Sequence, residues 1–358
     1  MDAPKASRHK RSMAQLLPPG STKSDAGVAP PVPVVQGVVV GSATPTMDPV
    51  PLIDGQTAQV LGTCNSFTIM QRPSLSEALF AACERSNIYD IFDSHTGQPL
   101  FFVKERSGPC ARICCAPQHN LFVEFKLFPM LAPGMMVDLQ SIDIDSLLPV
   151  MTMEREGCPR KPFLGCCACS QACKDGMYLH AGAIPPEVGV GELKDKHPGC
   201  VGFATQPFLG GGWSPTLNIM ERSAQGPGAW NALAKVEGPM IFGGCTECCF
   251  SSTFKVSSMN MSQMETKLQV GDLATIIKRK PKDLDGALRE SITDADVYTL
   301  DFNPSANLAP QQKATVLASL VLSDFMFFEK DGAMCDGSGC NLCVIHCGGC
   351  LLPCSLRG

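Results

Sequence analysis

A mainly β protein, a closed antiparallel barrel or sandwich with one long helix near its end, is the fold class this sequence predicts, and three observations predict it. From about Val60 the chain runs in short alternating or β-branched stretches punctuated by Gly, Pro, Asn and Asp, the pattern of many short strands joined by turns. One segment alone, 309–328, is apolar over the length of a full helix. No repeat of fixed period stands out.

The elements follow in order. Residues 1–52 hold Pro30-Pro-Val-Pro33 and Pro49-Val-Pro51 with almost no aromatic side chain, so little apolar surface offsets ordering entropy. A disordered Pro-rich tail is expected there, open to protein ligands. Its Lys5, Arg8, Lys10 and Arg11 read as a solvated start, and Asp2 in place of Gly lacks the myristoylation signal. Residues 63–70 read as a strand and 74–82 as a short helix or irregular turn. Residues 87–92 and 100–104 read as a hairpin about His95-Thr-Gly97. Further strands are expected at 119–126, 138–144, 147–153, 199–206, 217–221, 240–242, 252–257, 273–278 and 297–302.

The segment 309–328 decides the architecture. About 20 residues reach about 30 Å, enough to cross a bilayer or to thread a barrel. Pro310 with Gln311 and Gln312 gives a soluble-looking helix start, and Asp324, with Ser319 and Ser323, lies near the far end. A charge at that depth in lipid costs about 3 kcal/mol on insertion scales, whereas protein can supply it a partner. The expectation is therefore a barrel-core helix, with a single membrane span as the alternative.

Composition bounds the function. The chain has 358 residues, 44% hydrophobic, with a formal net charge of -5, so it can bury a full core and carries no basic excess for nucleic acid. Its 20 cysteines follow no apolar leader with a cleavage site, which predicts a cytosolic chain with most thiols reduced. Neighbours such as Cys114-Cys115, Cys166-Cys167 and Cys248-Cys249 suit acylation, metal binding or burial better than a disulfide ladder. Cys64, Cys83 and Cys200 read as buried and inert. No Ser-His-Asp signature, nucleophile elbow, phosphate loop or HExxH motif appears, so no enzyme is expected.

Several motifs in order resemble the phospholipid scramblase family. Glu290-Ser-Ile-Thr-Asp-Ala-Asp296 leads into a strand and then the apolar segment closing on Asp324-Phe-Met-Phe-Phe-Glu329. Upstream lie Asn87-Ile-Tyr-Asp-Ile91 with Gly97, Phe101-Phe102 and Glu105, then Cys110-Ala-Arg-Ile-Cys-Cys115. Met153-Glu-Arg155 precedes Gly165-Cys-Cys-Ala-Cys169 and Cys173, and Cys200-Val-Gly-Phe-Ala-Thr-Gln206, Cys245-Thr-Glu-Cys-Cys249 and Lys255-Val256 continue the order. The likeness covers about residues 60–332; a longer connection at 125–148 and a Cys-rich tail at 335–358 depart from it. It implies a tubby-like fold: a closed antiparallel β-barrel of about 12 strands around one central apolar helix at 309–328. The domains would be the tail 1–52, the barrel 55–332 and a Cys-rich tail 333–358.

The resemblance also implies a function: calcium-responsive, ATP-independent, bidirectional movement of phospholipids between leaflets, a process that breaks no covalent bond. The alternative is a lipid-anchored adaptor that binds phosphoinositides or proteins and scrambles nothing. Membrane phospholipids and further copies of the chain are the expected partners, at the cytosolic side of the plasma membrane with a nuclear pool.

Four sets of residues carry candidate chemistry. For Ca2+, Asp294 and Asp296 resemble positions 1 and 3 of an EF-hand loop, but position 5 is Tyr298, position 6 is Thr299 and position 12 is Ser305. Asp301 and Glu290 partly substitute, so a weak site is expected at most. Cys166, Cys167, Cys169 and Cys173, in a loop with Phe163 and Leu164, suit S-acylation, with Zn2+ as the rival. In the tail, Cys340, Cys343, Cys347 and Cys350 form a flexible second acylation strip, or a zinc set of Cys340, Cys343, His346 and Cys347. Lys278, Arg279, Lys280 and Lys282 form a basic run for anionic headgroups or nuclear import, or a solvated turn.

Overall fold

A computed structural model describes residues 52–72, 86–108, 112, 114–115, 118–129, 138–223, 225, 228–259, 272–279, 296–328, 335–336 and 339–357. All but the last residue of the tail expected at 1–52, the turn at 74–82, and Lys280, Lys282, Glu290 and Asp294 lie outside them.

Twelve strands close into one antiparallel barrel. In chain order these are β1 (Ser66–Gln71), β2 (Ile88–Asp93), β3 (Pro99–Arg106), β4 (Leu121–Leu127), β5 (Pro149–Arg155), β6 (Gly176–Ala181), β7 (Cys200–Thr205), β8 (Thr216–Arg222), β9 (Trp230–Glu237), β11 (Ser252–Ser258), β12 (Ala274–Lys278) and β13 (Val297–Phe302), with the two-residue β10 (Ile241–Phe242) standing outside the wall. Closure is made where β1 meets β13, Ser66 opposite Asp301 and Met70 opposite Val297, so no strand of the wall is left as an open edge.

Each strand presents alternate residues inward. Phe67 and Ile69, Tyr89 and Ile91, and Tyr298, Leu300 and Phe302 are all buried in one continuous core. Down its axis runs the core helix, α-helical over Pro310–Ser323 and continuing as one π-helical turn over Asp324–Phe328. Every residue from Lys313 to Phe328 is buried, which is why its apolar residues are not confined to one stripe. Pro310 occupies the first turn, and Gln312 Oε1 accepts from the Ala309 N–H at 2.8 Å. The wall comes close to the helix at Gly202 on β7, where a Cβ would lie 2.6 Å from Thr315 Oγ1 and 2.9 Å from the Met220 carbonyl. Among the described residues, no helix is long and apolar enough to cross a membrane.

Some expectations are corrected. Residues 138–144 form no strand but two 3-10 turns, Leu139–Ser141 and Ile144–Ser146, the second started by Asp143, whose carboxylate accepts from the Asp145 N–H. The first strand starts at Ser66 and follows an unforeseen helix α1, Gly55–Thr63, whose N-cap Asp54 accepts from the Gln56 and Thr57 N–H groups at 3.0 Å. Strands β6 and β9 were not anticipated; Ala, Asn, Lys and Glu dominate β9, residues that strands disfavour.

The C-terminal tail is not a flexible strip. It forms a small sheet with β10, in which β14 (Cys335–Asp336), β15 (Gly339–Cys347) and β16 (Cys350–Arg357) are antiparallel. Gly348 and Gly349 turn the β15–β16 hairpin with φ of 60° and 87°, the positive-φ pair that a tight two-residue hairpin turn requires.

Candidate functional site

The strand connections gather at the two ends of the barrel, and the end where the core helix stops carries most of the chemistry. There the helix meets a buried polar chain. Tyr89 Oη on β2 donates to Asp324 Oδ2 at 2.5 Å, and Tyr298 Oη on β13 donates to Asp324 Oδ1. Tyr298 Oη also lies 3.0 Å from Asp296 Oδ2. Lys278 Nζ bridges Asp296 and Glu247, each at 2.8 Å, and sits 4.1 Å from the Phe328 ring centroid. Glu247 comes from the short helix α2 (Thr246–Cys249).

Burial sets the electrostatics. It pushes the Asp324 carboxyl up from 3.8 to about 6, with the Asp296 charge adding to it and both tyrosine hydroxyls opposing. Glu247 is likewise raised by burial, against the pull of Lys278. For Lys278 the two carboxylates outweigh its desolvation and raise the ammonium above its ordinary value. The Tyr298 hydroxyl is held well above its usual range, chiefly by burial.

The opposite end carries a cation. Lys313 Nζ donates to the carbonyls of Leu61 and Cys64, each at 2.9 Å, and to Asn65 Oδ1 at 2.8 Å. Leu61 lies in the last turn of α1, where free carbonyls favour a positive charge.

Of the calcium residues, Asp296 is thus engaged with Lys278 and Tyr298. Asp301, five residues along β13 and on its outer side, accepts from Ser66 Oγ at 2.5 Å at the other end of the barrel. The described pair is not brought together, and Asp294 and Glu290 lie outside the described residues. Lys278 does not join a surface patch: Ala274, Ile276 and Lys278 share the inward face of β12. Arg279 is committed to Thr299 Oγ1.

Cys166, Cys167 and Cys169 are exposed, whereas Cys173 is buried. Cys115 and Cys158 form a disulfide, and most other described thiols are free. The zinc set of the tail does not converge. Along β15 the pleat buries Val344 and His346 and leaves Cys343 and Cys347 half-exposed on the other face; Cys340 is disulfide-bonded. His346 instead packs edge-on against Phe327, 6.3 Å between centroids, and burial lowers its pKa. Among the described residues no group of three or more His, Cys, Asp or Glu side chains is placed to hold a metal.

Sequence reasoning missed Tyr89, Glu247 and Lys313 and misplaced Lys278. Two of these had a signal: period-two counting back from Ile91 reaches Tyr89, and from Ile276 forward reaches Lys278, both on core faces. Glu247 and Lys313 had none, since their partners are 31 and 249 residues away at Lys278 and Cys64.

The sequence that folds in this way has relatives. The family model described as Scramblase matches residues 213–330, which covers β8, β9, β11 to β13 and the whole core helix. Phospholipid scramblase 1 of Homo sapiens is 26% identical over 283 residues, 78% of this chain and 68% of that protein. Over most of its length the chain is similar to phospholipid scramblases. Phospholipid scramblase 2 of Homo sapiens is 27% identical over 315 residues, 88% of this chain and 83% of the relative, and phospholipid scramblase 1 of Mus musculus is 25% identical over 285 residues, 79% and 67% respectively. No solved structure matches the chain. In this scramblase-like chain the motif Asp324-Phe-Met-Phe-Phe therefore has a structural meaning: a π turn whose first residue hangs its carboxylate between two wall tyrosines.

Proposed function

We propose that the protein promotes ATP-independent, bidirectional movement of phospholipids between leaflets, in response to calcium, from an S-acylated position on the cytosolic side of a membrane. The observation that carries this reading is its likeness to phospholipid scramblases over most of the chain. No covalent chemistry is needed, so the protein is a translocator rather than an enzyme. Exposed Cys166, Cys167 and Cys169 are the acylation sites in this reading; two chains hold stably where one is reversible. Calcium would act through the acidic stretch 290–296, which contains Glu290 and Asp294.

The filled barrel limits the route. Nine large apolar side chains of the core helix, Val316, Leu317, Leu320, Val321, Leu322 and 325–328, are nearly inaccessible. At roughly 2 kcal/mol each, expelling them into water costs on the order of 20 kcal/mol, more than the whole stability of an ordinary domain. Expulsion into lipid spares that term but carries Lys313 and Asp324 along. The intact barrel acting at the bilayer surface is therefore the cheaper route, by distorting the leaflet or by assembling copies.

The same filled interior favours a second reading, a lipid-anchored adaptor or regulator without scrambling of its own. A dithionite assay on liposomes reconstituted with the purified protein separates them. Loss of label beyond the outer leaflet, strengthened by calcium, supports lipid movement; a plateau at half the label, with and without calcium, leaves the adaptor.

A further inference from the structure

Three segments far apart in sequence are stitched together at the end of the barrel where the core helix stops. The Ala168 N–H of the cysteine loop 158–174 donates to the Gly348 carbonyl of the C-terminal hairpin turn at 3.3 Å. The Leu209 N–H of the turn 207–213 donates to the Ala168 carbonyl at 3.0 Å, and the Gly348 N–H donates to the Gly212 carbonyl at 2.8 Å. The fit is close: a Cβ on Gly210 would lie 2.6 Å from Gly349 Cα, and one on Gly349 would lie 2.7 Å from the Ala168 nitrogen. Beneath the junction His346 rests on Phe327 of the core helix.

What this junction presents to solvent is unusual in size and sign. Phe163, Phe208 and Trp213 are 60%, 66% and 62% exposed, with Leu209 beside them. Large aromatic side chains so exposed and so grouped mark an interaction site rather than ordinary surface. The three segments, with 346–354 for the hairpin, carry Arg160, Lys161 and Lys174 and no Asp or Glu of their own; Glu156, just outside them, offsets Lys161 from 4.0 Å. The occupant that matches exposed aromatics on segments whose own charges are all basic is the interface of an anionic bilayer: Trp and Phe lie at headgroup depth, and each unpaired Lys or Arg nearby adds attraction to acidic lipid.

We infer that the cysteine loop, the 207–213 turn and the C-terminal hairpin turn form one bilayer-docking face, with Phe208 and Trp213 as inserting side chains that act without acylation. The inference rests on the lipid reading for its occupant and deepens it. It orients the barrel, with the π turn of the core helix toward the membrane and Lys313 away from it. The C-terminal hairpin then serves as a clasp, its Gly-Gly turn fastening the other two segments to each other.

Binding is tested separately from scrambling. The chain has two tryptophans, so a Trp230→Phe variant leaves Trp213 as sole reporter. Unacylated full-length protein is titrated with vesicles of phosphatidylcholine alone or with phosphatidylserine added. The expected result is a blue shift of Trp213 emission and co-sedimentation with the anionic vesicles, both weaker on the neutral ones. Phe208→Ser/Trp213→Ser should weaken sedimentation about tenfold, from about 1.4 kcal/mol of lost apolar contact, while Phe250→Ser, an exposed residue outside the three segments, leaves it unchanged. Sedimentation with unchanged Trp213 emission, or equal loss in Phe250→Ser, overturns the inference. So does absence of vesicle binding together with a dimer in solution that Trp213→Ser dissolves, which assigns the face to a second copy. A protein that docks in this way yet leaves dithionite at half the label would retain the face and lose only the scrambling.

Discussion

Asp324→Asn should remove a defined slice of the pH dependence of stability. The carboxyl faces Tyr89 of β2 and Tyr298 of β13, with Asp296, Lys278 of β12 and Glu247 of α2 behind them. Its value in the folded protein is raised from 3.8 to about 6. Between those values the folded state binds more protons than the unfolded state, so stability falls as pH rises through the window, at up to about 1.4 kcal/mol per pH unit. From about pH 4.5 to about pH 7 the loss attributable to this group is about 2 kcal/mol. Asparagine cannot ionise, and it keeps one acceptor for a tyrosine. Whatever constant offset the substitution introduces, wild type should lose about 2 kcal/mol more than the variant on going from the acid to the neutral condition. Urea unfolding at both pH values with reductant present, followed by tryptophan emission, measures that gap. A wild-type-minus-variant difference equal at the two pH values would refute the burial argument for Asp324.

The remaining predictions are shorter. Lys313→Met leaves the Leu61 and Cys64 carbonyls without their buried donor and should cost about 3 kcal/mol in chemical unfolding. Gly202→Val places methyl groups where Thr315 Oγ1 and the Met220 carbonyl already crowd a Cβ; thermal unfolding should report a loss of about 2 kcal/mol, with Gly212→Ala, which meets no neighbour, serving as a check on backbone strain alone. For calcium, Asp294→Ala is the cleaner probe, because Asp296→Ala also strips a partner from Lys278; calorimetry at millimolar calcium should show heat in wild type and a smaller signal in the variant, and identical traces would remove the acidic stretch 290–296 from the calcium reading.

How much was legible depended on whether a residue's role was local. The wall was readable because alternation is a nearest-neighbour property: Tyr298, Leu300 and Phe302 announce a half-buried strand without reference to anything else. The core helix was readable from its length and from Asp324, whose position near the end suits a partnered acid better than a lipid-facing one. Residues 138–144 misled because the apolar-polar alternation of Ile142, Asp143 and Ile144 mimics a strand, whereas Asp143 uses its carboxylate to start a turn. The tail reads as a flexible strip when Gly348-Gly349 is taken only as a helix breaker; as a hairpin turn the same pair predicts two strands. Lys278 was misplaced by counting its charge with Arg279, Lys280 and Lys282 instead of counting its parity from Ala274. Assembly of the cysteine loop with the hairpin turn had no sequence signal, being a meeting of three connections at one end of a cylinder.

The junction of β1 with β13 has a consequence for biosynthesis. The first and last staves of the wall are separated by nearly the whole domain, with Phe67 opposite Leu300, and the filler of the interior is translated after both. Until the ribosome releases residue 328, the nascent chain holds a ring of greasy inward faces with nothing to close upon, so a stalled or truncated product should be captured by chaperones or aggregate. A membrane state in which the helix had left its sheath would be the same open ring, and evicting the helix would in effect run the last step of synthesis backwards.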